Sequence, residues 1–396
     1  MLISEKTVNN GNSDALNITD IMHWIVIPNY KEDIDNLRDT LAVLASHKRA
    51  KESYKICLAM EESEKEAPEK ASVILKEFAE LFGHIIATFH PPNLINEMRG
   101  KSSNVAWAAH QISLTIPPST DSSNTLMTII DADTCFAADY FESISAKYVT
   151  TSPFQRRLQL FTPFSIFDRN SSSVPSFVRM FDMAWSSSQL AFQLPGYTFT
   201  PALSAYTLPF DLAREVGFWD RHWGAMAEDM HMTYKIVLAT GGRVQFRQIY
   251  SPASQCNIVG KDEHWWCGIK ARTVQLKRHT WGGVLEFSGV VSLGLVKLLG
   301  QESDTPKISS DFLYNGKKRN VFEMVWSSVC GAIKLLIAYF HLFEITICGG
   351  HVLVINVLTV LLVPGFGPAI LNPIALWWWG VVSPNQPVPD IISALK

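Results

Sequence analysis

An α/β domain built on a mostly parallel sheet, followed by a C-terminal membrane tail, is the fold class this sequence predicts. Three observations predict it. Apolar strand-like runs alternate with helix-periodic stretches between residues 23 and 130. No Asp, Glu, Lys or Arg occurs across 345–389, whereas 31–101 is densely charged. At 396 residues the chain has length for a full folded domain and such a tail.

The elements follow in chain order. Residues 23–28 (HWIVIP) form a short apolar run closed by a proline, which reads as a buried strand. Ile34, Leu37, Leu41 and Leu44 come next at spacings of three and four, one face of a helix. Residues 54–60 (YKICLAM) are a second strand, and 68–82 a second helix with Val73, Ile74, Phe78 and Leu81 on its apolar side. A third strand at 85–89, a third helix at 102–112 and a fourth strand at 126–130, ending at Asp131, complete the alternation. Strands separated by helices pair in parallel and are covered on both faces. Ligands of such sheets sit beyond the carboxyl ends of the strands, and each polar cluster up to Asp133 falls at such an end. Residues 150–282 are less regular and rich in aromatics, with helical stretches near 176–192 and 227–240.

The organisation is then a polar segment at 1–20, the α/β domain at 21–283, an interfacial helix at 284–300, a polar loop at 301–322, transmembrane helices within 323–383 and a polar tail at 384–396. The apolar run 287–296 is too short to span a bilayer. Residues 325–347 are long enough, and their Lys334, His341 and Glu344, spaced by seven and three, lie roughly on one side, towards a helix partner rather than lipid. Residues 351–363 continue the apolar run, and a third segment at 374–382 carries Trp377, Trp378 and Trp379, a residue type suited to the membrane–water interface. Two spans, or three, are expected, giving an integral multi-pass membrane protein with its α/β domain in the cytosol.

Composition narrows the partners. A net charge of −3 with no basic run excludes a nucleic-acid partner. The cysteines (Cys57, Cys135, Cys256, Cys267, Cys330 and Cys348) include no Cys-x-x-Cys pair, which argues against structural zinc or a disulfide framework and fits a reducing compartment. The sequons at Asn17 and Asn170 would matter only on a lumenal face. The first 20 residues lack the apolar core of a secretory signal.

The sharpest chemical signal is Asp131-Ala132-Asp133. Two carboxylates released from a buried strand into a loop offer hard oxygen ligands to Mg²⁺ or Mn²⁺, which in turn holds a diphosphate. The plain alternative is a strand-end turn, where aspartates serve the backbone. Pro28, Tyr30 and Glu32 follow the first strand where a base and ribose would lie; without glycine the segment is no Rossmann or P-loop phosphate cradle, and a simple strand-to-helix turn competes. Glu61 and Glu62 end the second strand, either facing a base or ribose or opening a solvated charge run that reaches Lys70.

Lys101 opens the third helix, where free N–H groups and its ammonium suit a phosphate, unless Ser102 or Ser103 is simply the N-cap. Glu228 and Asp229 start a helix whose later face is Met232, Ile236 and Val237. One of them is a general base for an acceptor hydroxyl, or both merely complement the helix dipole. Gln275 and Arg278 share a helix face in a stretch with His279 and Trp281. A guanidinium suits diphosphate oxygens, while Lys270, Arg272 and Lys277 make a lipid-facing basic patch the competing reading.

Taken in order, IPNYKE, AMEE, GKSSN, DAD, AED and QLKRH resemble the family-2 glycosyltransferases of the membrane-integrated kind, whose relatives include cellulose, chitin and hyaluronan synthases and ceramide glucosyltransferase. The resemblance covers roughly 22–282 and the tail. It implies a GT-A (Rossmann-like) fold, a nucleotide-sugar donor (a UDP-sugar by family habit), Mg²⁺ or Mn²⁺, and inverting transfer to a lipid or glycan hydroxyl beside membrane lipid. By that resemblance Glu61 would contact the base, Lys101 the phosphates, Asp131 the nucleotide and Asp133 the metal. Asp229, next to Glu228, would be the base, with Gln275, Arg278, His279 and Trp281 closing over the donor beside Pro28, Tyr30 and Glu32. His279 stands where the family has Trp, and Ala227 where it has Thr, so single and repeated addition both stay open. The competing class is a catalytically silent, membrane-bound nucleotide-sugar-binding protein on the same fold. A nucleotidyltransferase would want a glycine-rich loop after the first strand, and a transporter more spans.

Overall fold

Apolar runs buried almost continuously, on both faces, in the first third of the chain dictate the sheet. In the computed structural model the order is β1 (Met22–Asn29), α1 (Ile34–Ala45), α2 (Ala50–Ser53), β2 (Tyr54–Glu61), α3 (Ala67–Phe78), β3 (His84–His90), α4 (Lys101–Thr115) and β4 (Thr125–Ile129). There follow β5 (Cys135–Phe136), α5 (Tyr140–Val149), α6 (Pro153–Arg156), β6 (Gln159–Thr162), β7 (Ser165–Phe167), α7 (Ser176–Ala191), β8 (Tyr206–Pro209), α8 (Phe210–Glu215), α9 (Glu228–Ala239), β9 (Gln245–Gln248) and β10 (Ala253–Gln255).

The structure describes residues 16–257 apart from 96, 98, 118, 175, 192–199, 201, 222–224 and 226, together with 270–271, 274–275, 308–309, 312–313, 326, 329–330 and 333. The chain divides into two units, Met1–Tyr339 and Phe340–Lys396, and every described residue lies in the first. Apart from those isolated positions, the predicted interfacial helix at 284–300, the loop at 301–322, the transmembrane helices of 323–383 and the tail at 384–396 lie outside the described residues. Among the described residues no helix is long and apolar enough to cross a membrane.

The main sheet runs β3-β2-β1-β4-β8-β6-β9. β1 pairs in parallel with both β2 and β4, and β2 with β3, as the alternation of strands and helices predicts. β8 enters antiparallel between β4 and β6, and β9 returns parallel to β6. A second, small sheet has the order β5-β10-β7.

On one face Ile25, Ile27, Ile56, Leu58 and Leu126 pack with Leu37, Leu41 and Leu44 of α1, Ile74 and Phe78 of α3, and Tyr140, Phe141 and Ile144 of α5 in one core. Each such fully buried side chain stabilises the fold by about 1.5–3 kcal/mol. The alternate residues Val26, Cys57 and Ala59 are buried on the opposite face, which α4 covers with Val105, Ala108, Ala109 and Ile112. Asn104 Nδ2 of α4 donates to Ala59 O at 2.7 Å, satisfying a buried carbonyl there.

Two local expectations are corrected. α3 spans Ala67–Phe78 rather than 68–82, and Val73 (39% exposed) and Leu81 (45%) face solvent. Its buried stripe is Ala67, Ala71, Ile74 and Phe78, the small alanines letting the helix sit close to the sheet. At α4 neither Ser102 nor Ser103 is the N-cap, a position held by Gly100; their hydroxyls donate instead to the carbonyls of Asp220 and Arg221.

The order β3-β2-β1-β4 reverses direction between β1 and β4, and at such a reversal the connections leave on opposite sides and open a crevice at the strands' carboxyl ends. Asn29–Tyr30 and Asp131 emerge there. In urea denaturation Ile74→Ala is expected to cost about 2–5 kcal/mol, and Val73→Ala no more than about 0.5 kcal/mol; equal losses would contradict this packing of α3.

Candidate active site

The sheet continues one residue past β4, since Ile130 N–H donates to Val26 O at 3.2 Å. Thr134 N–H then donates to Asp131 O at 3.0 Å, closing a turn that contains Asp131, Ala132 and Asp133. Three elements fix that turn. Thr40 Oγ1 of α1 donates to Ala132 O (2.7 Å), Arg169 Nη1 to Asp133 O (2.6 Å), and Cys256 N–H to Asp133 Oδ2 (3.0 Å). The strand-end turn and the paired carboxylates are thus the same object.

Lys101 begins α4 directly after Gly100, whose φ of 152° is a conformation that residues with a Cβ rarely adopt. Its Nζ lies 2.6 Å from Asp131 Oδ1 and 3.1 Å from Glu228 Oε1. Burial opposes the ammonium charge, but Asp131, Glu228 and Asp229 outweigh it and hold the pKa above the ordinary lysine value. Glu228 is buried at the first turn of α9; desolvation is the larger force, Lys101 opposes it, Asp229 and Asp131 add to it, and the carboxyl is pushed up to about 8. Asp133 is raised to about 6 by burial first and by the charge of Asp131 second. Asp229 is held by backbone, its Oδ2 accepting from Ser204 N–H and its Oδ1 from Met230 N–H, both at 2.8 Å.

These groups line one cleft of about 690 Å³. Pro28, Tyr30, Glu32 and Glu61 line it together with Lys101, Asp131, Asp133, Glu228, Asp229 and Gln275. Arg278, His279 and Trp281 lie outside the described residues. Phe167, Trp185, Leu203 and Met230 give the cleft an apolar margin that motif reading had not indicated. Glu32 sits on the rim, and desolvation followed by the Asp131 charge raises its pKa.

The charge run after β2 is not simply solvated. Glu61 is 6% exposed and pairs with His90, and Glu64 is equally buried. Glu64 accepts from Lys31 N–H at 2.7 Å and pairs with Lys70 at 2.5 Å, while Lys70 also donates to Glu32 O at 2.7 Å. Those bonds hold the Tyr30–Glu32 segment, including Lys31 at a left-handed φ of 60°.

Asp220 was also unforeseen. It takes His231 Nε2 at 2.8 Å and Lys235 Nζ at 2.7 Å; burial would raise its pKa, but His231 and Lys235 together bring it down to about 2. Its own carbonyl accepts from Ser102 Oγ at 2.6 Å. One residue thereby joins the helix that presents Glu228 and Asp229 to the helix that presents Lys101.

The donor set suits a divalent cation in part. Among the described residues no three His, Cys, Asp or Glu side chains form a self-sufficient metal cage. Asp133, and Asp131 next to it, nevertheless offer hard oxygens, and burial first and the Asp131 charge second leave the ionised Asp133 carboxylate disfavoured until a cation arrives. Mg²⁺-type sites commonly use one or two carboxylates and complete their shell with substrate phosphates and water.

A family model described as Glycosyl transferase family group 2 matches residues 126–379. Among solved structures the chain is similar to mannosyltransferase PcManGT from Pyrobaculum calidifontis, in complex with GDP-Man and Mn²⁺ (12% identity, 80% of this chain and 86% of that one, TM-score 0.39). It is also similar to GalNAc-T7, crystallised with UDP, GalNAc and Mn²⁺ (14% identity, 66% of this chain and 50% of that one, TM-score 0.38). No curated protein sequence matches it.

The raised Glu228 pKa has a signed consequence. Between the ordinary 4.5 and about 8 the folded chain keeps a proton that the unfolded chain has released, so stability falls as pH rises through that window. Glu228→Gln removes this dependence. Its melting temperature is expected to exceed that of wild type at about pH 8, with the gain shrinking towards about pH 5; an equal or lower value at the higher pH would contradict the assignment.

Proposed function

The chain belongs to glycosyl transferase family group 2 and is a glycosyltransferase, and from that premise we propose that its cleft moves a sugar, with inversion, from a nucleoside diphosphate to a lipid or glycan hydroxyl, aided by a divalent cation. The observation that carries this reading is the meeting of Lys101, Asp131, Asp133, Glu228 and Asp229, drawn from chain positions far apart, in one cleft at the sheet's reversal point. A GT-A donor site needs this set of groups: hard carboxylates, a cation for phosphate, and a further acid in the same cleft.

Within this proposal Pro28, Tyr30, Glu32 and Glu61 receive the base and ribose of the donor, a UDP-sugar by family habit alone, and Lys101 turns from Asp131 towards the phosphates. Asp133, assisted by Asp131, would hold Mg²⁺ or Mn²⁺, which when bound neutralises the departing diphosphate. Asp229 takes the proton from the attacking hydroxyl. Its two backbone hydrogen bonds fix its orientation, and burial of the neighbouring Glu228 favours the proton-bearing form there, so the base role falls to Asp229. The apolar margin at Trp185, Leu203 and Met230 excludes water from the acceptor side, limiting hydrolysis of the donor. Gln275, with Arg278, His279 and Trp281, closes the site over the diphosphate. Attachment through spans within 323–383, with the catalytic domain on the cytosolic side, belongs to the same proposal.

The test is a donor-hydrolysis and transfer screen on detergent-solubilised protein, with Mn²⁺ or Mg²⁺, across UDP- and GDP-sugars. Asp133→Ala and Asp229→Asn are each expected to lower turnover by at least about 10²-fold. Only Asp133→Ala should also abolish Mn²⁺-dependent binding of UDP, read by calorimetry. Wild-type turnover in both variants would sink the role assignment.

A further inference from the structure

Glu61 is the first member of a chain of alternating charges. Its Oε2 lies 3.1 Å from His90 Nδ1; the other ring nitrogen, Nε2, lies 3.0 Å from Glu97 Oε2; and Glu97 Oε1 accepts from Arg221 Nη1 at 2.6 Å. The His90 side chain is only 2% exposed, and the Trp107 ring of α4 meets it edge-on at 6.1 Å. An imidazole donates to two carboxylates at once only when both nitrogens carry protons. A neutral ring turns a lone pair towards one of those carboxylates and loses that bond. The ring has little room to escape, because His90 ends β3 and its carbonyl accepts from Glu62 N–H at 3.0 Å. Glu97, for its part, belongs to the connection that leads to Arg99 and Lys101, both on the cleft.

We propose that His90 is a positioning residue which, as an imidazolium, holds Glu61 aimed so that its second oxygen accepts a hydrogen bond from the base or ribose of the nucleotide, while tethering the connection that carries Arg99. The proposal rests on reading the cleft as a nucleotide-sugar site. A carboxyl group as buried as Glu61 needs a hydrogen-bond donor close by, and His90 Nδ1 supplies it.

The pH behaviour follows. Burial opposes charge on His90, but the hydrogen bonds and charges of Glu61 and Glu97 outweigh it and raise its pKa above the ordinary 6.5. The groups facing the ring are Glu61 from β2, Glu97 from the connection after β3 and the uncharged Trp107 from α4; Arg221 reaches it through Glu97. The bridge is therefore complete below about 6.5 and is lost as pH climbs through the raised value.

Calorimetric titration of the full-length, detergent-solubilised protein with UDP and with GDP, in Mn²⁺, from about pH 6 to about pH 9, tests this. Wild-type affinity should weaken about tenfold across the range. His90→Gln should bind about tenfold more weakly at the acid end and lose the step. Glu97→Gln, which removes one of the two charges that keep the ring protonated, should bind normally at the acid end with the step moved to lower pH, a shift that a merely structural histidine would not produce. If His90→Gln keeps both wild-type affinity and the wild-type step, the assignment falls while the sugar-transfer reading stands. Should His90→Gln fail to fold, an unmoved step in Glu97→Gln overturns the assignment alone. If wild type binds neither nucleotide at any pH, both readings fall.

Discussion

One ammonium group organises this molecule's cleft. Lys101 reaches Asp131 at the end of β4 and Glu228 at the start of α9, and its charge is also felt by Asp229. A cluster of three acids around one cation keeps an excess of negative charge in a half-buried place. That excess is unfavourable for the folded chain and favourable for receiving a cation, a common division between stability and function at enzyme sites. The rest of the structure serves to keep the charges where they are. Asp220 joins the two helices from behind, and Thr40, Arg169 and Cys256 fix the turn from the sides.

The first half of the sheet was legible in the sequence because its strands are buried on both faces and its helices carry a regular apolar stripe. Residues 23–28, 54–60, 85–89 and 126–130 each lie within an observed strand or pass its end by one residue. Leu81 misled for a physical reason: apolar spacing continues past Phe78, but the helix has already stopped there. The strands beyond residue 150 are only three or four residues long, too short for a period to register, and the antiparallel insertion of β8 between β4 and β6 leaves no local trace. Similarly, the carboxylates of the site could be nominated from sequence, but not their partners. Asp133 is held by Cys256 and Thr40 by Ala132, pairs that only the folded chain brings together. His90 stood beside no recognisable motif, and its meaning comes wholly from the two acids that flank its ring.

The residues that line the cleft come from two kinds of structure. The β1 and β2 side is a rigid extension of the parallel sheet, with Glu64 and Lys70 locking the Tyr30–Glu32 segment. Other lining residues come from the start of α9, the segment before β8 and the chain following β10. Loops tolerate change more readily than sheet strands, so the second set has more freedom to vary than the first.

The late arrival of β8 also bears on how the chain reaches this state. Leu126–Ile129 of β4 pair antiparallel with Tyr206–Pro209, so during synthesis the first four strands can assemble while one border of that sheet stays bare. An apolar strand with open backbone groups is a template for unwanted pairing. The nascent protein therefore has a window, between emergence of residue 130 and of residue 209, in which a chaperone has most to contribute.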